Sequence, residues 1–315
     1  MKFTTTRARA TTAVALSALL LIGTTACGRG GDEATGGDSV TLALSTLNNP
    51  FFVDVRDGAQ TAADDLGIDL EIVDAQNDST TQANQIANAV TGGTAGIIVN
   101  AVDSDAAAAA VAPAIDGDVP VVGVDRAVNG VDITSLVSSD NVAGGSQAAD
   151  ALAASIGEQG QVIVLQGVPG TSASRDRGQG FADGIAAYPG IEVVAMQTAN
   201  FDRAQALDVA TNLLQANPDV VGIFAENDEM ALGAIQALGA RAGSAVKVVG
   251  FDGTEDGLGA VVSGTMVATI AQQPAELGRR AVEVMAKVLA GETVDADVPV
   301  AVQTVTSENV ADFQK

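Results

Sequence analysis

The chain has 315 residues, no His, no Trp, one Cys and a formal net charge of −24. Without His there is no Ser-His-Asp triad, no Cys-His pair and no His-ligated zinc or haem, and a single Cys allows neither an intrachain disulfide nor a thiolate metal cage. So acidic a surface repels nucleic acid, while 47% apolar and 17% charged residues describe a chain that builds a core, at a length suited to one large domain or two lobes.

Residues 1–26 read as a secretory signal. Lys2, Arg7 and Arg9 are the charges there, an apolar run covers Ala13 to Ile22, and small residues precede Cys27. A transmembrane helix would need about 20 apolar residues, more than this run offers. Thr24-Thr25-Ala26-Cys27 resembles a bacterial lipobox, although Thr24 stands where Leu or Val is usual; Cys27 is therefore the expected lipid attachment site. Gly28 to Ser39 has no periodicity and reads as a flexible tether.

From Val40 onward short apolar runs alternate with longer amphipathic stretches. The runs are Val40–Ser45, Leu70–Asp74, Gly96–Asn100, Val119–Asp125, Gln161–Gln166, Ile191–Ala195, Val220–Ala225, Val246–Asp252 and Val267–Gln272. They are rich in β-branched residues and lack strict alternation, as strands covered on both faces do. Helical spacing marks Ala59–Leu66, Thr81–Val90, Gly144–Ile156, Ala204–Gln215, Glu229–Leu238 and Glu276–Leu289, with Asp140, Asp202 and Asp228 as cap-like starts. Pro113 is expected to end or kink the Ala-rich helix over Ala106–Ile115. Strand and helix in alternation predict an α/β fold with mostly parallel sheets.

The pattern then repeats. Asn100 ends one run and Asp125 closes another 25 residues later; Asn227 follows a run and Asp252 closes another, again 25 residues later. Two copies at equal spacing predict two similar lobes. Ligands of open α/β sheets sit outside the carboxyl ends of the strands, so Asn100, Asp125, Asn227 and Asp252 are expected at two lobe edges facing one cleft.

Near these strand ends lie Phe51 and Phe52 after Pro50, Arg126 after Asp125, Phe201, Phe251 before Asp252, Gln272, and Arg175 and Arg177 in the Gly- and Ser-rich segment Gly167–Gly180. Flat apolar rings beside planar groups with several donors and acceptors suit a sugar, whose C–H faces pack on Phe and whose hydroxyls both donate and accept.

Residues 40–309 resemble the periplasmic ribose-binding proteins, the substrate-binding proteins of ABC sugar importers. The likeness is carried by Ser45-Thr-Leu-Asn-Asn-Pro-Phe-Phe52, Val124-Asp-Arg126, Ser139-Asp-Asn141, Gly170-Thr-Ser-Ala-Ser-Arg-Asp-Arg-Gly178, Phe201-Asp-Arg203, Asn227-Asp-Glu-Met-Ala-Leu-Gly233, Val249-Gly-Phe-Asp-Gly-Thr254 and Ala268-Thr-Ile-Ala-Gln272. It implies a two-lobed periplasmic-binding-protein type I fold, with residues 40–139 plus 273–301 in one lobe, 140–272 plus 302–315 in the other, and a three-crossing hinge. It implies ligand contacts at Ser45, Asn49, Phe51, Phe52, Asn100, Asp125, Arg126, Arg177, Phe201, Asn227, Phe251, Asp252 and Gln272, with Phe52 and Phe201 sandwiching a D-ribose ring and Arg175 at the rim. It further implies a monomer that is no enzyme, has no catalytic residue, cofactor or metal, hands its sugar to an ABC permease and is tied to the membrane by its lipid. The sequence departs from the family pattern at Glu226, where Gln is usual, at Ala101-Val102 and at Pro113.

Within the binding class the alternative is another monosaccharide or a ribose-like signal molecule, and two other classes fit less well. A sugar-responsive repressor core shares the fold but needs a basic helix-turn-helix where this chain carries an export signal. A carboxylate glycosidase needs a paired acid and nucleophile that no spacing here identifies.

Overall fold

The structure, a computed structural model, describes residues 39–314; the signal segment, Cys27 and nearly all of the tether lie outside them. In chain order the elements are β1 (Ser39–Leu44), α1 (Pro50–Leu66), β2 (Asp69–Asp74), α2 (Ser79–Gly92), β3 (Gly96–Val99), α3 (Ala107–Asp116), β4 (Val121–Val124) and β5 (Ser135–Ser139). There follow α4 (Asn141–Ser155), β6 (Gly160–Gln166), α5 (Ser172–Ile185), β7 (Ile191–Thr198), α6 (Arg203–Ala216), β8 (Val220–Ala225), α7 (Asp228–Leu238) and β9 (Lys247–Asp252). The last are α8 (Glu255–Val262), β10 (Ala268–Ala271), α9 (Pro274–Leu289), β11 (Asp297–Val300) and β12 (Gln303–Thr306). None of the helices among the described residues is long and apolar enough to cross a membrane.

Two six-stranded sheets result, in the orders β11-β5-β4-β3-β1-β2 and β12-β10-β9-β8-β6-β7. Every neighbouring pair is parallel except β10 with β12. Both faces of each sheet are covered, which explains the absence of alternation. In the first sheet Leu42 and Leu44 pack with α1 and α9, while Ala43, Ile97 and Val99 pack with Ile86 and Val111 on the opposite face. In the second, Ile163 and Leu165 face α6 and α7, and Val162 and Val164 face α4 and α5.

The chain passes between the sheets three times: from β5 to α4, from β10 to α9 and from β11 to β12. The three passages are hydrogen-bonded together, Asp140 N donating to Val300 O at 3.1 Å and Gln273 Nε2 to Ala301 O at 3.0 Å. They form a narrow triple-stranded waist between two lobes.

Several local expectations are corrected. Ser39 opens β1 instead of closing the tether. The first helix starts at Pro50, because Asn49 caps it by accepting from Phe51 N and proline is suited to the first turn. Asn227, not Asp228, caps α7; Asp228 is the first helical residue and is buried. Pro113 does not end α3 at once, since the helix runs three residues further to Asp116. The strands β5, β11 and β12, of four or five residues each, and the helix α8 were not anticipated. Nor was α5, whose glycines argue against a helix. There packing overrides propensity: a Cβ on Gly180 would lie 2.0 Å from Val142 O and one on Gly145 would lie 2.2 Å from Arg177 O. The helices α4 and α5 thus meet backbone to backbone, a contact that a side chain at either place would forbid.

Candidate functional site

The carboxyl ends of both sheets face one cavity between the lobes. The first lobe contributes Asn49, Phe51 and Phe52 from the start of α1, and Asp125 and Arg126 from beyond β4. The second contributes Ala173 and Arg177 from α5, Phe201 from the turn before α6, Asn227 before α7, Asp252 ending β9, and Gln272 after β10.

Asp125, Asn200, Phe201 and Asp252 have φ of 66°, 55°, 58° and 121°, values that non-glycine residues rarely adopt. Both strand-end aspartates, one in each lobe, have a positive φ. Backbone strain of this kind persists only where the surroundings over-determine it.

Asp125 is held from behind. Asn100 Nδ2 donates to its Oδ2 at 3.0 Å and to Val124 O at 3.2 Å, while Asn100 Oδ1 accepts from Ser45 N and Ser45 Oγ at 3.2 and 2.5 Å. Arg126 Nη1 donates to Ala101 O at 2.9 Å, and its guanidinium carbon lies 5.2 Å from the Phe52 centroid and 5.7 Å from that of Phe201. In the other lobe Arg177 Nε donates to Asn141 Oδ1 at 2.8 Å, and Nη1 donates to Glu226 O at 2.6 Å and lies 3.5 Å from Asp252 Oδ1. The Arg177 guanidinium carbon also sits 3.9 Å from the Phe251 centroid. Gln272 Nε2 donates to Asp252 Oδ1 at 2.7 Å.

The structure therefore sorts the expected contacts. Asn49, Phe51, Phe52, Asp125, Arg126, Arg177, Phe201, Asn227, Asp252 and Gln272 line the cavity, whereas Ser45, Asn100 and Phe251 stand behind its wall and hold those that do. Phe251 and Asp252 are consecutive on β9, so their side chains leave opposite faces of the sheet. Arg175 does not line the cavity; it is half exposed and lies 3.6 Å from Asp105 Oδ2. Sequence reasoning missed Ala173, which carries no chemical signature, and gave no role to Asn141, which enters the family likeness only as part of Ser139-Asp-Asn141.

Two aspartates and two arginines leave the lining balanced in charge. Burial pushes the Asp125 and Asp252 carboxyls up, against the pull of Arg126 and Arg177 on the first and Arg177 on the second, and burial pushes Arg126 down. Asp125 Oδ1, Gln272 Oε1 and Arg126 Nε are buried with no hydrogen-bond partner among the described residues. Such atoms are costly unless something completes them. Two acceptors and a donor at one cavity call for a neutral ligand that both donates and accepts. Among the described residues no cluster of three His, Cys, Asp or Glu could hold a metal ion.

Beneath Arg177 lies Glu226. Its Oε2 accepts from Gly167 N at 2.7 Å and from Ser174 Oγ, and burial pushes it up to about 7. The folded state then holds a proton that the unfolded chain, at an ordinary 4.5, has released by neutral pH. Its contribution to stability is full below pH 4.5 and is lost as pH rises to about 7. Asp125, Asp228 and Asp252, all pushed up by burial, act with the same sign. The melting temperature is expected to fall between pH 5 and 8, and Glu226→Gln to flatten part of that fall. An unchanged slope in the variant would contradict the assignment.

A hinged pair of α/β lobes closing on a small polar cavity defines a solute-binding protein. Residues 40–293 match the periplasmic binding protein domain family, and the chain belongs to it. It is similar to the ribose import binding protein of Salmonella typhimurium, 47% identical over 86% of this chain and 91% of that one. It is similar also to that of Bacillus subtilis, 42% identical over 81% of this chain and 83% of that one. Among solved structures it is similar to an ABC transporter periplasmic solute binding protein from Actinobacillus succinogenes with bound D-allose (33% identity, TM-score 0.82, 87% of this chain and 99% of that one). The chain is a binding protein, not an enzyme.

Proposed function

We propose that the chain is the substrate-binding protein of an ABC sugar importer, that its ligand is D-ribose, and that lipid at Cys27 anchors the exported protein to the membrane. The carrying observation is the set of unpartnered atoms Asp125 Oδ1, Gln272 Oε1 and Arg126 Nε around a cavity also lined by Phe52 and Phe201, one ring from each lobe. Pentose hydroxyls complete those atoms, and the rings cover the C–H faces of the sugar. The ribose import proteins at 42–47% identity favour ribose among the sugars that fit.

Ribose has about ten heavy atoms, so micromolar binding, about 8 kcal/mol, is about 0.8 kcal/mol per atom, well above the roughly 0.3 of drug-sized ligands, and requires most of its atoms to be engaged. A cleft that surrounds the ligand from both lobes meets that requirement only when closed. Closure about the triple-stranded waist is then favoured because the closed form alone brings both halves of the lining to the sugar. The permease partner reads the closed shape and takes up the sugar on reopening.

A thermal-shift panel tests the ligand. D-Ribose is expected to raise the melting temperature more than D-allose, D-glucose, D-galactose or D-xylose. Equal shifts across the panel, or none with ribose, would remove the ribose assignment.

A further inference from the structure

The lobes also touch where no ligand reaches. Beyond β3, the loop of Asp103 to Ala106 meets the start of α5 in the other lobe. Ser104 N donates to Gly170 O at 3.1 Å, Ser172 N donates to Ser104 Oγ at 3.0 Å, and Ala127 N donates to Ser172 Oγ at 2.9 Å. Asn129 N donates to Ser104 O at 2.8 Å, so the two first-lobe loops form a single platform. Ser104 is fully buried and Ser172 is 9% exposed. Gly170 is favoured by its φ of +92°, and a Cβ there would lie 2.3 Å from Asp103 Oδ2, so that the Asp103 side chain would have to shift. Arg175 and Asp105, 3.6 Å apart and exposed, add little beside these bonds.

Ser104, Gly170, Ser172 and Ala127 are all absent from the cavity lining, although Ser172 precedes Ala173 and Ala127 follows Arg126, which do line it. We propose that Ser104, Gly170 and Ser172 form a latch between the lobes that sets the closed-to-open ratio, and through it the affinity for every sugar alike. This rests on the sugar-binding reading above. The three bonds across the lobes exist only when the lobes meet; in the open form water takes their place, so their net worth falls entirely on the closed state. Apparent affinity scales with the fraction of competent conformer, whatever the ligand. These are positioning residues: they hold the platform that carries Asp125 and Arg126 against the helix that carries Ala173 and Arg177.

The test is the double variant Ser104→Ala with Ser172→Ala, with Gly170→Ala as an independent break of the same contact. In the ligand-free protein, single-molecule energy transfer between dyes at the exposed positions Leu66 and Met196, one in each lobe, counts closed and open molecules. The closed-to-open ratio is expected to fall about tenfold in the double variant. Calorimetry with each sugar of the panel that binds the wild type is expected to give a dissociation constant raised by one common factor for all of them, equal to the measured fall in the closed fraction, with the ligand-free melting temperature unchanged. An unchanged closed-to-open ratio, a factor that differs from sugar to sugar, or a loss of ligand-free stability in both variants would overturn the latch. A wild type that binds no sugar would overturn the sugar-binding reading and leave the ligand-free ratio to decide the latch.

Discussion

Arg177→Leu is expected to abolish sugar binding and to cost about 3–5 kcal/mol of stability, the scale for orphaning a buried charge. Arg177 is 3% exposed, donates to Asn141 Oδ1 and Glu226 O, covers the Phe251 ring and is the charge that most offsets the burial of Asp252. Leucine keeps some of the apolar contact and removes every polar one, leaving Asp252 with Gln272 as its hydrogen-bond partner. Adding Asp252→Asn removes the orphaned carboxylate. The double variant is expected to regain much of the stability in urea unfolding and none of the binding. If Arg177→Leu with Asp252→Asn is no more stable than Arg177→Leu alone, the ion pair is not what Arg177 contributes.

Asp125→Asn is expected to lower affinity about a thousandfold with the fold unharmed. The substitution is isosteric, and asparagine tolerates the positive φ found there. Its amide oxygen can still accept from Asn100 Nδ2, which turns its NH2 toward the cavity where Asp125 Oδ1 offers an acceptor. A donor then meets a ligand hydroxyl arranged to donate, and a buried mismatch is expensive. Stability is expected to fall less than in Arg177→Leu, because the asparagine keeps the bond to Asn100 and burial already disfavours the charged carboxylate, although Arg126 loses its neighbouring charge. Calorimetry reads the affinity and thermal unfolding the stability; undiminished binding would place the ligand elsewhere.

Much of this molecule is legible in its sequence, for identifiable reasons. Strands buried on both faces leave unbroken β-branched runs, and Asn or Asp at their ends stands out against them; that contrast exposes the two-lobe repeat and the cleft. What stays hidden is set by long-range packing. The glycine-rich stretch that becomes α5 is a helix because the backbone of α4 lies against Gly180, and nothing local reveals that neighbour. The short β5, β11 and β12 carry polar or proline residues and gain their strand character from partners distant in the chain, as when Asp297 to Val300 pairs with Leu136 to Ser139. Within the site, residue type is a better guide than exact placement. Ser45, Asn100 and Phe251 lie outside the cavity lining, where Asn100 and Phe251 contact the Asp125 and Arg177 side chains that line it. The interlobe bonds of Ser104 and Ser172 were beyond reach, because serine in a loop announces no partner 68 residues away.

The most direct measurement is a crystal structure of the protein grown with D-ribose. The account predicts one sugar between the lobes, its ring flanked by Phe52 and Phe201, with hydroxyls within hydrogen-bond distance of Asp125 Oδ1, Arg126 Nε and Gln272 Oε1. Ribose bound outside that cavity, or a cavity in which those three atoms remain without a partner, would contradict it.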